Sequence, residues 1–175
     1  ISKYEIASDG VGGIVGRGNP AYITNCYATG EIFSDGDRNG GIIGYAATSG
    51  NLDNCYSLVN VKYSGNYNGG IIGYSLTPNA CLSLGNVYTQ EETESIGRIS
   101  GYGITRKINY AYDRQLINGY IVSDDLDANL LTFTDIFDKN VYLNTLRWDD
   151  NYNYAGLENF VLPKWVAMLQ YISTT

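Results

Sequence analysis

Apolar residues in this chain occur in short runs separated by Gly, Asn, Ser and Asp, and the runs return on a fixed period. The run Gly40-Gly41-Ile42-Ile43-Gly44-Tyr45 comes back as Gly69-Gly70-Ile71-Ile72-Gly73-Tyr74. An earlier copy reads Gly12-Gly13-Ile14-Val15-Gly16-Arg17, and a weaker one Gly97-Arg98-Ile99-Ser100-Gly101-Tyr102. The copies start at 12, 40, 69 and 97, so the steps are 28, 29 and 28 residues. A period of that size marks a repeat architecture in which each unit buries its apolar face against the next.

Each unit holds three extended pieces. The Gly-Gly-Ile block comes first. A block with cysteine follows: Asn25-Cys26-Tyr27, Asn54-Cys55-Tyr56 and, more loosely, Ala80-Cys81-Leu82. A short β-branched run closes the unit: Glu31-Ile32-Phe33, Asn60-Val61-Lys62 and Asn86-Val87-Tyr88. This predicts an all-β fold: a parallel β-helix or solenoid of about four ~28-residue coils stacked ~4.8 Å apart.

Position-by-position variation assigns the faces. Ile14, Ile42, Ile71 and Ile99 do not vary, so they are placed inside. The next position admits Ser100, and alternation puts it on the wetter face with Tyr45, Tyr74 and Tyr102. The Gly pair is assigned positive φ at a corner. Ile23 with Cys26, and Leu52 with Cys55, both face inward only if the chain turns between them; Asn25 and Asn54 stand there and tolerate the left-handed region. Asn109, followed by Tyr110 in the cysteine place, is expected to extend that asparagine row.

The repeat fades after residue 103. Gly119 to Val122 is a candidate last strand, and Thr132 with Asp135 has the spacing of a capping box ahead of a short helix over 134–138. A further helix is expected over 140–146, and either a third helix or a terminal strand after Pro163. We assign residues 1–125 to the solenoid and 126–175 to a small C-terminal α/β cap, because an open solenoid end must be covered. The chain opens with Ile1, and Tyr4-Glu5-Ile6 reads as the last strand of a truncated coil, the expectation for a segment of a longer protein.

Composition narrows the chemistry. The net charge is −7, which disfavours nucleic acid and anionic lipid. The chain has no His, which removes imidazole bases, Ser-His-Asp triads and zinc sites built on His. No apolar run approaches the ~18 residues of a membrane span. Cys26 and Cys55 hold matching positions, close enough for a disulfide. Parallel, in-register side chains suit its torsion poorly, and stacked thiols are the expected state.

The repeats resemble the GLUG motif, with Ile for Leu in Gly41-Ile42-Ile43-Gly44 and Gly70-Ile71-Ile72-Gly73. The stretch from Val141-Tyr142-Leu143 to Trp148, followed by Phe160-Val161-Leu162-Pro163-Lys164, resembles the ending of such arrays. The resemblance implies a right-handed solenoid found in bacterial surface adhesins and in the non-catalytic region of immunoglobulin A-type zinc metallopeptidases. It implies an extracellular, secreted or surface-attached module of a larger parent chain. It brings no catalytic residue, since that family's zinc motif needs histidine.

Three candidate chemistries stand beside plainer readings. Tyr45, Tyr74 and Tyr102 form a stripe suited to a host protein or glycan; the plainer reading is lateral packing. Asp35, Asp37 and Asn39 have alternate-oxygen spacing suited to calcium, although Ala46 stands where an EF-hand would close with Glu; a solvated turn is the default. A second acidic cluster is Asp124, Asp125 and Asp127. Paired carboxylates drawn from Asp9, Glu31, Asp37 and Asp53 would suit a carbohydrate-active β-helix enzyme, but no spacing singles out a pair. The expectation is therefore a non-catalytic binding or positioning module with no cofactor. A purely structural spacer and a carbohydrate-active enzyme are the alternatives.

Overall fold

The computed structural model describes residues 9–20, 22–47, 50–63, 65–89, 95–102, 108–121, 128–138 and 140–142. The first coil contains β1 (Val11–Gly12), β2 (Val15–Gly18), β3 (Tyr22–Thr24) and β4 (Tyr27–Ser34). The second contains β5 (Asn39–Gly40), β6 (Ile43–Ala46), β7 (Asn51–Asp53) and β8 (Tyr56–Tyr63). The third contains β9 (Asn68–Gly69), β10 (Ile72–Tyr74), β11 (Thr77–Asn79), β12 (Leu82–Ser83) and β13 (Val87–Thr89). A partial fourth holds β14 (Ile96–Gly97), β15 (Tyr110–Tyr112) and β16 (Leu116–Ile117), and β17 (Tyr120–Ile121) turns back antiparallel on β16. The strand β18 (Asn129–Leu131) and the helix α1 (Phe133–Ile136) follow.

Equivalent strands of successive coils pair in parallel and in register. Val11, Asn39, Asn68 and Ile96 share one row; Val15, Ile43 and Ile72 share another, continued by a bridge to Ser100. The result is a parallel β-solenoid of about three turns, one repeat per turn, with four sheets around its axis. About four coils were expected. The fourth is present only in part among the described residues, and 103–107 lie outside them.

The core is a column of Ile42, Ile43, Leu52, Cys55, Val61, Ile71, Ile72, Cys81, Val87 and Ile99, all fully buried. Burying each Ile contributes about 1.5–3 kcal/mol. Ile43 and Ile72 are as buried as Ile42 and Ile71, which corrects the expected wet face. The reason is a bend at Gly41-Ile42 ahead of β6, so strand alternation does not run through the pair. Ile14, by contrast, is 47% exposed at the first coil.

The glycine pair does not work as expected either. Neither Gly40 nor Gly41 has positive φ; a Cβ on Gly41 would stand 2.0 Å from Ser57 Oγ and 2.2 Å from Gly70 O. Both positions need a missing side chain: Gly40 lies against the backbone of the second sheet at Ile43 O and Gly73 N, and Gly41 against Ser57 and the Gly70 carbonyl of the next coil. The left-handed residues are elsewhere. Asn25 (φ 55°) and Asn54 (φ 54°) turn the chain where the sequence placed a corner, and Ala80 (φ 52°) holds the third.

Asn109 corrects the register of the fourth coil. Tyr110 pairs with Leu82, and Leu82 with Tyr56, so Asn109 takes the cysteine row above Cys81. It is fully buried, accepts from Cys81 N at 3.0 Å and donates to Pro78 O at 2.8 Å. A side-chain-to-side-chain asparagine bond between coils joins Asn39 and Asn68, 3.0 Å apart.

β18 adds a strand beside β15. The capping box forms as the spacing predicts: Thr132 Oγ1 accepts from Asp135 N, and Asp135 accepts from Thr132 N at 2.8 Å. Ile136, Val141 and Tyr142 pack with Leu82 and Leu131 in a second cluster, with Tyr56, Leu58 and Tyr112 at its margin. The sheet residues among these project outward from the fourth sheet, so Ile136, Val141 and Tyr142 cover a side of the solenoid. The helix or strand expected after Pro163, most of the helix over 140–146, the 124–127 acidic cluster and the Tyr4-Glu5-Ile6 strand lie outside the described residues.

Candidate binding surface

Tyr45 and Tyr74 are in register on the second sheet, with Arg17 below them in the first coil. The ring centroids of Tyr45 and Tyr74 are 5.8 Å apart, and those of Tyr74 and Tyr102 are 4.3 Å apart with planes 22° off parallel. Tyr45 and Tyr74 are half-buried and Tyr102 is 51% exposed. The structure thus brings the three sequence-predicted tyrosines into one column.

A second column interlocks with the first. Arg38 (φ 62°) and Tyr67 (φ 63°) each precede the buried asparagine of the first sheet, in register with Gly10 (φ 106°). The Arg38 guanidinium lies 4.9 Å from the Tyr45 centroid and 5.3 Å from that of Tyr74. Tyr67 meets Tyr74 and Tyr102 edge-on at 5.1 Å and 5.5 Å. Arg17 lies 5.2 Å from Tyr45, and Asp9 pairs with both Arg17 and Arg38. Such cation–aromatic contacts contribute about 0.5–1 kcal/mol each at exposed sites. Sequence reasoning missed Arg38 and Tyr67. The available signal was their shared place one residue before Asn-Gly-Gly.

Crowding pushes the Tyr74 phenol up: desolvation leads, reinforced by the charge and hydrogen bond of Tyr102 and by Tyr67, and opposed by Arg38. Tyr74 and Tyr102 stack face to face, Tyr45 is tilted 59° from Tyr74, and Tyr67 stands edge-on to Tyr74 and Tyr102. Ring faces in contact with one another are closed to a sugar laid flat on them, and Arg17 and Arg38 add charge to the column.

Two of the three calcium candidates make structural hydrogen bonds. Asp37 accepts from Asn66 N at 2.7 Å, Asn39 is fully buried and donates to Gly36 O at 2.6 Å, and Asp35 is exposed. Among the described residues no three His, Cys, Asp or Glu side chains gather as a metal site. The carboxylates weighed for glycoside chemistry are dispersed. Glu31 pairs with Lys62 at 3.2 Å on the fourth sheet, Asp53 ends β7 on the third, and Asp9 and Asp37 are occupied as described.

Cys26, Cys55 and Cys81 are free thiols in one row. Cys55 donates to Asp53 O at 3.2 Å, and Cys81 to Asn79 O at 3.5 Å. Burial pushes Cys81 and, less, Cys26 up, while a hydrogen bond from Cys81 holds Cys55 below its usual value against burial. Comparison of the chain with family models, curated proteins and solved structures finds no match.

Proposed function

We propose that this chain is a non-catalytic binding and positioning module of a larger bacterial surface or secreted protein, built on GLUG-like repeats. The observation that carries the reading is the double column of Arg17, Arg38, Tyr45, Tyr67, Tyr74 and Tyr102 along successive coils. Tyr and Arg are the residues that dominate protein–protein hot spots. A stack that offers hydroxyls and guanidinium groups favours a protein partner over a glycan. The resemblance adds two settings: an adhesin, or an accessory region that presents a macromolecular substrate to a zinc peptidase elsewhere in the parent.

The experiment is a binding assay of the chain against immunoglobulin A and a glycan array, with wild type beside the double variant Arg17→Ala/Tyr102→Ala. Protein binding weakened at least tenfold in the variant supports the reading. Glycan binding lost in the variant redirects it to a lectin-like surface. Absence of binding from both favours a structural spacer, which ring-on-ring packing also suits. The open reading frame around the chain separates the settings: a downstream His-Glu-x-x-His favours the peptidase, and a wall-sorting signal favours the adhesin.

A further inference from the structure

We propose that Tyr74 and Tyr102 are a site of oxidative tyrosine–tyrosine cross-linking that fastens the third coil to the fourth. Their ring centroids lie 4.3 Å apart with planes 22° off parallel, so two radicals formed on these rings are held in contact with one another. Tyr102 is 51% exposed, which gives a small oxidant access. Tyr67 meets both rings edge-on, at 78° and 81°, with longer centroid distances of 5.1 Å and 5.5 Å.

The oxidant is a peroxide acting through a one-electron peroxidase. Each phenol gives up one electron and its hydroxyl proton, forming a phenoxyl radical. The two radicals join in a carbon–carbon bond between ortho positions. The hydrogens on those carbons then move to the phenolic oxygens as the rings regain aromaticity. One hydrogen peroxide is reduced to two waters, which balances the electrons and protons. The product ties residues 74 and 102 covalently across one repeat, in the manner of a disulfide that closes a loop. This site does not depend on the binding function proposed above.

The test treats the dilute full chain with hydrogen peroxide and a haem peroxidase, followed by trypsin and mass spectrometry. Cleavage after Lys62, Arg98 and Arg106 places Tyr74 and Tyr102 in separate peptides, 63–98 and 99–106. The expected product is their linked mass less a pair of hydrogens, abolished by Tyr74→Phe and by Tyr102→Phe and retained in Tyr67→Phe. Its yield exceeds that of the wider Tyr27–Tyr56 stack, whose centroids are 5.0 Å apart. Each Phe variant keeps the ring, and a wild-type melting curve establishes that it folds. The proposal is overturned if the linked mass is absent or survives Tyr74→Phe. It is also overturned if the urea-unfolded chain gives an equal yield, if the Tyr27–Tyr56 link dominates, or if cross-links between molecules prevail at low concentration.

Discussion

Gly40 of the second coil and Gly73 of the third lie backbone to backbone: a Cβ on Gly40 would stand 2.7 Å from Gly73 N. From the other side, a Cβ on Gly73 would meet the backbone just ahead of Gly40, 2.4 Å from Asn39 N. Two sheets approach this closely only where neither carries a side chain. Gly73→Ala is expected to destabilise the fold by ~3 kcal/mol or more, because the added methyl meets rigid backbone. Gly18, where the nearest atom to an added Cβ is 3.6 Å away, is the control, with Gly18→Ala costing less than ~1 kcal/mol. Urea unfolding of both variants measures the difference.

Asn109 closes the thiol row by answering Cys81 N and Pro78 O inside the core. Asn109→Ala leaves both backbone groups buried and unpaired, at a cost of ~2–4 kcal/mol. Asn109→Leu is expected to be no better, because volume does not replace the two hydrogen bonds. Equilibrium unfolding of the two variants decides it.

The corner at Asn54 has φ 54°. Asn54→Gly is expected to be neutral within ~0.5 kcal/mol, while a β-branched Val there costs ~1–2 kcal/mol or more from left-handed strain. Thermal melts in one buffer compare them.

Much of this was legible beforehand, because a solenoid writes its geometry as a period. The steps between Gly12, Gly40, Gly69 and Gly97 give the coil, and the inward pair Leu52 and Cys55 demands the turn that Asn54 makes. Where contacts depend on backbone irregularity, the sequence misled. The bend at Ile42 buries Ile43 as well, which strict alternation forbids. Arg98 stands where earlier coils have Gly, yet its guanidinium is fully buried and donates to Tyr112 O at 3.1 Å. Arg38 and Tyr67 join the tyrosine column only because a left-handed backbone turns them toward it, and neither residue type announces that conformation.

The Thr132–Asp135 box gives the helix α1 a pH dependence. Its hydrogen bonds from Thr132 hold the Asp135 carboxyl below its usual value, so the folded pKa lies under the unfolded one. The stabilisation is therefore present above the ordinary carboxylate range of about 4 and lost as the pH falls through the lower folded value. Asp135→Asn is expected to reduce that acid sensitivity, and Thr132→Ala to cost ~1 kcal/mol at neutral pH. Near-UV circular dichroism against pH, following the buried Tyr142, reports it.

One repeat forms one coil, and the tyrosine–arginine column is a by-product of that stacking. The most direct measurement is the stability of a chain with residues 41–69 removed, which joins Gly40 to Gly70 and restores Asn-Gly-Gly-Ile. The solenoid predicts a folded, cooperatively melting β protein one coil shorter, with Arg17 beneath Tyr74 and Cys26 beneath Cys81. Removing residues 41–62 instead breaks the register and should unfold it. If the whole-repeat deletion is as disordered as the partial one by circular dichroism and urea melting, the coil assignment is wrong.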